Sequence, residues 1–376
     1  MTLARDGEEI QKTRMETDVA PLGEKTYPLP FAPMEKPGEY AVTVSFRLRE
    51  ETAWAPRGHE IAFGQGVWTV EGAPKKRPAP APLRVVRGDR NVGIFGDGFT
   101  AMYSMERGML ISYTVCGREM LKTPPRPVFW RAPIDNDNGN GMPARYGQWK
   151  IADLYAMPMG MHQLKAEKGL DPMERTEDGG VLLRTFWKLP GKPGGECEMR
   201  FRFHPCGRVE TSLRYDPVEG KGDMPLFGVS FKMDADYDRI RYYGLGPEEN
   251  YVDRREGARL GIYETTAKEN VTPYLYPQEC GNRTGVRWAE VTDFRGRGLR
   301  FRGDGMEFNA LPWTAHELEN AAHGNELPNR LYTVVRAAMA QMGVGGDDSW
   351  GARTHEEYLI PVTEPLCFRF SFEPVI

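Results

Sequence analysis

Two short polar stretches carry side chains able to do chemistry. The run Arg131-Ala-Pro-Ile-Asp-Asn-Asp137 places a guanidinium beside Asp135, Asn136 and Asp137. Oxygen donors of this kind suit a calcium-type ion, but such an ion takes roughly six to eight of them. The favoured reading is a buried, ion-paired loop anchor at a domain or subunit contact. The second stretch is Gly343-Val-Gly-Gly346 followed by Asp347, Asp348, Ser349 and Trp350. Glycines followed by short polar residues are turn chemistry, which puts Trp350 on or beside a loop, where sites are usually built. Asp347 and Asp348 are expected to accept backbone N–H bonds that hold the turn. Elsewhere the chemistry is thin. The six histidines form neither a pair four residues apart nor a triad-like set, and no Cys-x-x-Cys or His/Cys cluster suggests zinc.

The elements that must position these loops read as strands. Tyr40 to Leu48, Cys197 to His204 and Leu366 to Phe372 alternate apolar and polar residues, so each offers one face to a core. Turn signals at 96–98, 178–180 and 303–305 break the runs at short intervals. The best helix signal is Thr314 to His323, where Thr314 and Glu317 stand as a capping box. A second helix is expected near Ala144–Ala156. The stretch 72–82 holds prolines at 74, 78, 80 and 82, and reads as an extended linker. It separates residues 1–71, with about four strands, from a strand-rich block 83–376 read as one large antiparallel sandwich. Four strands are few for a β-sandwich of about seven, so the first block is expected to be incomplete, with an open core and an unpaired edge.

Bulk properties exclude several classes. The 376 residues are 40% hydrophobic and 11% aromatic, with 42 glycines and 30 prolines, which suits short strands and turns better than a helical bundle. Net charge is −4 with interspersed signs, so no nucleic-acid footprint is present. No apolar stretch approaches the roughly 18 residues of a membrane helix, and the N-terminus lacks a signal-peptide core. Five cysteines at unrelated spacings imply free thiols in a reducing cytoplasm.

Four longer blocks, in order, carry a family resemblance. Phe129-Trp-Arg-Ala-Pro-Ile-Asp-Asn-Asp-Asn-Gly139 resembles the signature near the start of the last domain of bacterial β-galactosidases of glycoside hydrolase family 2. Tyr242-Tyr-Gly-Leu-Gly-Pro-Glu-Glu-Asn-Tyr-Val-Asp253 and Tyr274-Leu-Tyr-Pro-Gln-Glu-Cys-Gly-Asn-Arg283 are similar to its next two blocks, with Cys280 where asparagine is common. Met342-Gly-Val-Gly-Gly-Asp-Asp-Ser-Trp350 matches the final one. Upstream, Tyr40–Gln65, with Thr52-Ala-Trp54 and Gly58-His-Glu60, resembles the closing strands of an immunoglobulin-like domain, and Asp6-Gly-Glu8 and Val19-Ala-Pro21 fit its middle strands.

The resemblance implies an all-β chain: a partial immunoglobulin-like β-sandwich (1–71), the linker (72–82), and a galactose mutarotase-like supersandwich (83–376). It implies retaining hydrolysis of terminal β-D-galactosides such as lactose by the complete enzyme. Retention needs an acid and a nucleophile about 5–5.5 Å apart, and the family's pair sits in barrel motifs that do not occur here. No catalytic residue is therefore expected in this chain. Glu248, Glu249 and Glu279 are tempting substitutes, expected instead to tie loops through hydrogen bonds and arginine pairs. Trp350 is the residue that the resemblance sends into the barrel's site, as an aromatic wall against the sugar. Magnesium and sodium are implied in other domains, and no metal or other cofactor in this one. The implied partners are the catalytic barrel, as a neighbouring domain or a large subunit, the β-galactoside itself and an oligomer, but neither nucleic acid nor membrane. The chain is either a fragment of a longer polypeptide or a small subunit, and a start inside a sandwich favours the first. The rivals are a stand-alone carbohydrate-binding module and an aldose-epimerase-like protein, although the epimerases' histidine motif is not evident.

Overall fold

The computed structural model describes residues 1–72, 81–191, 194–348 and 351–376. Most of the proline-rich stretch 72–82 therefore lies outside the described residues. The chain divides into two compact units, Met1–Pro78 with Arg259–Ile262, and Ala79–Ala258 with Tyr263–Ile376.

The first unit is a four-stranded antiparallel sheet of β1 (Thr2–Arg5), β2 (Glu8–Lys12), β3 (Gly38–Arg47) and β4 (Glu60–Val70), in the order β2-β1-β3-β4. Alternation along β3 turns Tyr40 and Val42 to a small core with Leu3, where Tyr40 stacks on Trp68 at 6.1 Å. Phe46, Trp54, Ile61 and Val67 remain exposed.

The second unit begins with a five-stranded meander: β5 (Arg84–Arg87), β6 (Asn91–Gly96), β7 (Phe99–Ser104), β8 (Met109–Val115) and β9 (Arg118–Glu119). After β10 (Arg126–Val128) come helices α1 (Asp135–Gly139), α2 (Met142–Tyr155) and, beyond β11 (Met157–Pro158), α3 (Met161–Lys168). The strands β12 (Met173–Arg175), β13 (Val181–Leu189), β14 (Gly195–Phe203), β15 (Val209–Tyr215), β16 (Leu226–Asp234), β17 (Arg239–Gly246), β18 (Arg259–Thr266), β19 (Arg283–Thr292) and β20 (Gly298–Leu311) follow. Helix α4 (Ala315–Asn320), β21 (Tyr332–Gln341) and β22 (Leu366–Val375) complete the unit.

Thirteen of these strands form one sheet with the path β10-β16-β21-β20-β22-β15-β14-β13-β11. Register explains why it holds. Val181 pairs with Phe203, Phe203 with Val209, Val209 with Phe372 and Phe372 with Phe301, so one apolar row crosses five strands. All five side chains are buried, each worth about 1.5–3 kcal/mol of burial free energy. The meander covers this face: Tyr113 of β8 meets Phe372 edge-on at 5.4 Å and donates its hydroxyl to the Gly207 carbonyl at 2.7 Å. The architecture is thus the all-β supersandwich that the sequence led us to expect. Helix α4 begins where expected, with Thr314 and Glu317 forming the capping box, whereas α1 and α3 carry no strong sequence signal.

Candidate functional site: a loop held by a buried arginine

The chain leaves β10 through Phe129 and Trp130 and turns Arg131 fully inward. Its guanidinium grips Asp137 with two bonds, 2.5 and 3.2 Å, and gives a third to the Gly343 carbonyl at 3.1 Å. Asp137 also accepts the Ile134 N–H at 2.9 Å, closing the first turn of α1. Burial works against the Arg131 charge, but the Asp137 carboxylate outweighs it and holds the guanidinium above its ordinary pKa. A local ion pair thereby reaches across the fold to fix the start of the glycine loop.

Further bonds secure that loop. Asn136 donates to the Val344 carbonyl at 3.1 Å, and Asp253 accepts the Gly345 N–H at 2.6 Å. The Thr354 hydroxyl lies 3.3 and 3.2 Å from the carbonyls of Gly343 and Gly345. A Cβ at Gly343 would stand 2.6 Å from the Asp253 carboxylate, and one at Gly346 would stand 2.7 Å from the Ala352 carbonyl. Close approach explains both glycines. Asp348 accepts the N–H groups of Gly351 and Ala352 at 3.0 and 3.1 Å. Asp347 is exposed and lies 2.8 Å from His355 Nε2. Their contact raises the imidazole pKa. Asp135 exchanges two bonds with the Gln278 amide, at 3.2 and 3.1 Å. Trp350, with Ser349, lies outside the described residues.

The acids of the neighbouring blocks are engaged. Buried Glu279 pairs with Arg336, whose charge it holds above the ordinary arginine range against the opposing effect of burial. Burial pushes the Glu249 carboxyl up, but the Tyr274 hydroxyl, the Gly281 N–H and Arg254 together bring it below its usual value. Glu248 is exposed. Glu307, buried and bonded by Asn282 at 2.9 Å, is pushed up to about 7 by burial. Such an arrangement positions a loop; Glu249, Glu279 and Glu307 already have partners. Asp135 and Asp137 are likewise spent on Gln278 and Arg131, which does not fit an oxygen cage for magnesium or sodium. Among the described residues no group of three or more His, Cys, Asp or Glu side chains is placed to hold a metal ion.

One constellation escaped the sequence. His316 Nε2 lies 2.9 Å from Asp153, whose other oxygen accepts the Phe129 N–H at 2.8 Å. The two residues are 163 positions apart. The available signal was an acid on the buried face of α2, beside Trp149 and Ala152.

The model of the "Beta galactosidase small chain" family matches residues 95–372, well over half of the chain. The chain belongs to that family. Residues 1–69 match "Beta-galactosidase, domain 4". A β-galactosidase of Halalkalibacterium halodurans is 37% identical over 98% of this chain, but the match spans 36% of the relative. One of Streptococcus thermophilus is 36% identical, and 35% of its length is matched. The chain thus spans about a third of these full-length relatives. The β-galactosidase small subunit of Latilactobacillus sakei is 32% identical over 77% of this chain and 97% of its own. Among solved structures, galactose 1-epimerase of Lactobacillus acidophilus NCFM aligns over 78% of this chain and 98% of its own, at 10% identity and a TM-score of 0.40. So loose a likeness says nothing about activity. No helix among the described residues is long and apolar enough to cross a membrane, and all five cysteines are free.

Proposed function

We propose that this chain is the small-chain portion of a large multidomain β-galactosidase of glycoside hydrolase family 2. The complete enzyme hydrolyses terminal non-reducing β-D-galactosides, lactose among them, with retention. Its acid, nucleophile, magnesium and sodium belong to a catalytic barrel in another domain or a large subunit. Residues 1–71 contribute part of an immunoglobulin-like sandwich, and the assembled enzyme is a cytoplasmic oligomer. The role of this chain is to brace the barrel and to present Trp350 to the sugar, where an indole face covers the C–H face of a pyranose.

The supporting observation is the anchoring of Gly343 by buried Arg131. A fully buried ion pair that reaches across the fold to a loop carbonyl is a costly way to hold an idle turn. It suits a loop whose next residues must meet a substrate in fixed geometry. The five free cysteines agree with a reducing compartment.

The test is hydrolysis of a chromogenic β-D-galactoside by the chain alone, then mixed with the matching catalytic chain. Activity is expected only in the mixture, and Trp350→Ala is expected to lower it at least tenfold with assembly unchanged. Robust turnover by the isolated chain would overturn the reading.

A further inference from the structure

A cavity of about 460 Å³ opens beside the large sheet, lined by polar residues of four strands and by core residues such as Trp187 and Phe231. Register builds its floor. Arg126 of β10 pairs with Ser230 of β16, Ser230 with Arg336 of β21, and Arg336 with Asn309 of β20. Four polar side chains thus line up across four adjacent strands, while the alternate residues Val229, Val335 and Phe308 are buried in the core.

The charges along this row are not equivalent. Arg336 is neutralised by Glu279. Among the described residues Arg126 has no such partner: its Nε and Nη2 atoms are buried and without a hydrogen bond. Lys232, one step along β16, adds a second positive side chain to the lining. Of the acids nearby, Glu317 acts on Lys232, and Asp153 already serves His316 and the Phe129 N–H. Buried guanidinium donors left unpaired are unfavourable, and a bound anion removes the penalty.

The walls add a different chemistry. Trp130 and Trp313 line the cavity with their N–H edges held elsewhere, by Glu319 at 3.0 Å and by the Pro328 carbonyl at 2.9 Å. Trp130 is buried in the core, so Trp313 is the indole that offers ring carbon to the space. A flat apolar wall, a polar floor and this volume match a ring compound with hydroxyls on its edge and C–H groups on its face.

We propose that the cavity is a separate carbohydrate site, which takes a pyranose bearing an anionic group, with the anion on Arg126 and the ring against Trp313. The site needs neither Trp350 nor a catalytic barrel, so it stands or falls apart from the hydrolytic role. Its recognition is electrostatic at one end and apolar at the other. Neutral galactose satisfies only the second.

Calorimetric titration of the full chain with D-galacturonate, D-galactose 6-phosphate and D-galactose tests this. At least one acidic sugar is expected to bind at least tenfold more tightly than D-galactose. A preference between the acidic pair tells whether carboxylate or phosphate is the natural group. Arg126→Gln is expected to erase the preference while leaving the thermal melt unchanged; Arg126→Lys is expected to retain part of it. Should Arg126→Gln fail to fold, the same titration with the wild-type chain at rising salt reads the charge instead, and the acidic preference should shrink. Absence of binding by both acidic sugars, or equal affinity for all three, would overturn the proposal.

Discussion

Arg126 and Arg131 are near neighbours in sequence, and the fold treats them in opposite ways. Arg131 is fully buried, clasped by Asp137 and spent on the Gly343 carbonyl. Arg126 sits at a cavity with two buried nitrogens that no described residue meets. The first cation is neutralised by a carboxylate and serves geometry, although its Nε is also buried without a hydrogen bond. The second is incomplete and serves, by our inference, a ligand. Burial of an arginine therefore carries no functional meaning until its partners are counted.

The sharpest way to break this comparison is to remove each charge in turn. Arg131→Met leaves the Asp137 carboxylate buried and uncompensated, and is expected to cost about 3–5 kcal/mol in urea unfolding. At the other extreme, Arg126→Met removes an unpaired charge without orphaning a carboxylate. Its expected effect without ligand is within about 1 kcal/mol of zero, of either sign. Equal costs for the two variants would abolish the distinction.

Between these lies Glu307, a carboxyl with too little compensation. Its folded pKa is about 7 against an ordinary 4.5. From pH 4.5 to 7 the folded state therefore holds a proton that the unfolded chain has released, and stability falls as pH rises through that window. The loss is complete above pH 7 and amounts to about 3 kcal/mol at most. Glu307→Gln keeps an acceptor for Asn282 and is expected to remove this slope. Urea unfolding at pH 5 and pH 8 checks it; an unchanged slope would assign the pH dependence to other groups.

Legibility followed the range of the interaction. The capping box of Thr314 and Glu317 spans three residues and was readable, as was the alternation that became β14 and β22. The Arg131–Asp137 pair spans six residues, close enough to expect an ion-paired anchor. Its real target, Gly343, lies 212 positions away and could not be read from spacing. The same holds for Glu279 with Arg336 and for Asp153 with His316, which meet only because of strand order and helix placement. Glycine types in the loop were visible in the sequence, but the reason for them, the Asp253 carboxylate against Gly343, was not.

The position of β22 carries a kinetic consequence. Paired on one side with β15 and on the other with β20, it lies inside the sheet, and its bond to β15 joins Val209 to Phe372. Such a closure must be made over a long loop before its contacts repay the lost chain entropy, so the domain is expected to fold slowly for its size. Until that strand inserts, β15 presents an unpaired apolar edge, an open invitation to pairing between chains. Dilution and a prompt supply of its partner are the conditions under which this domain should reach its native state in good yield.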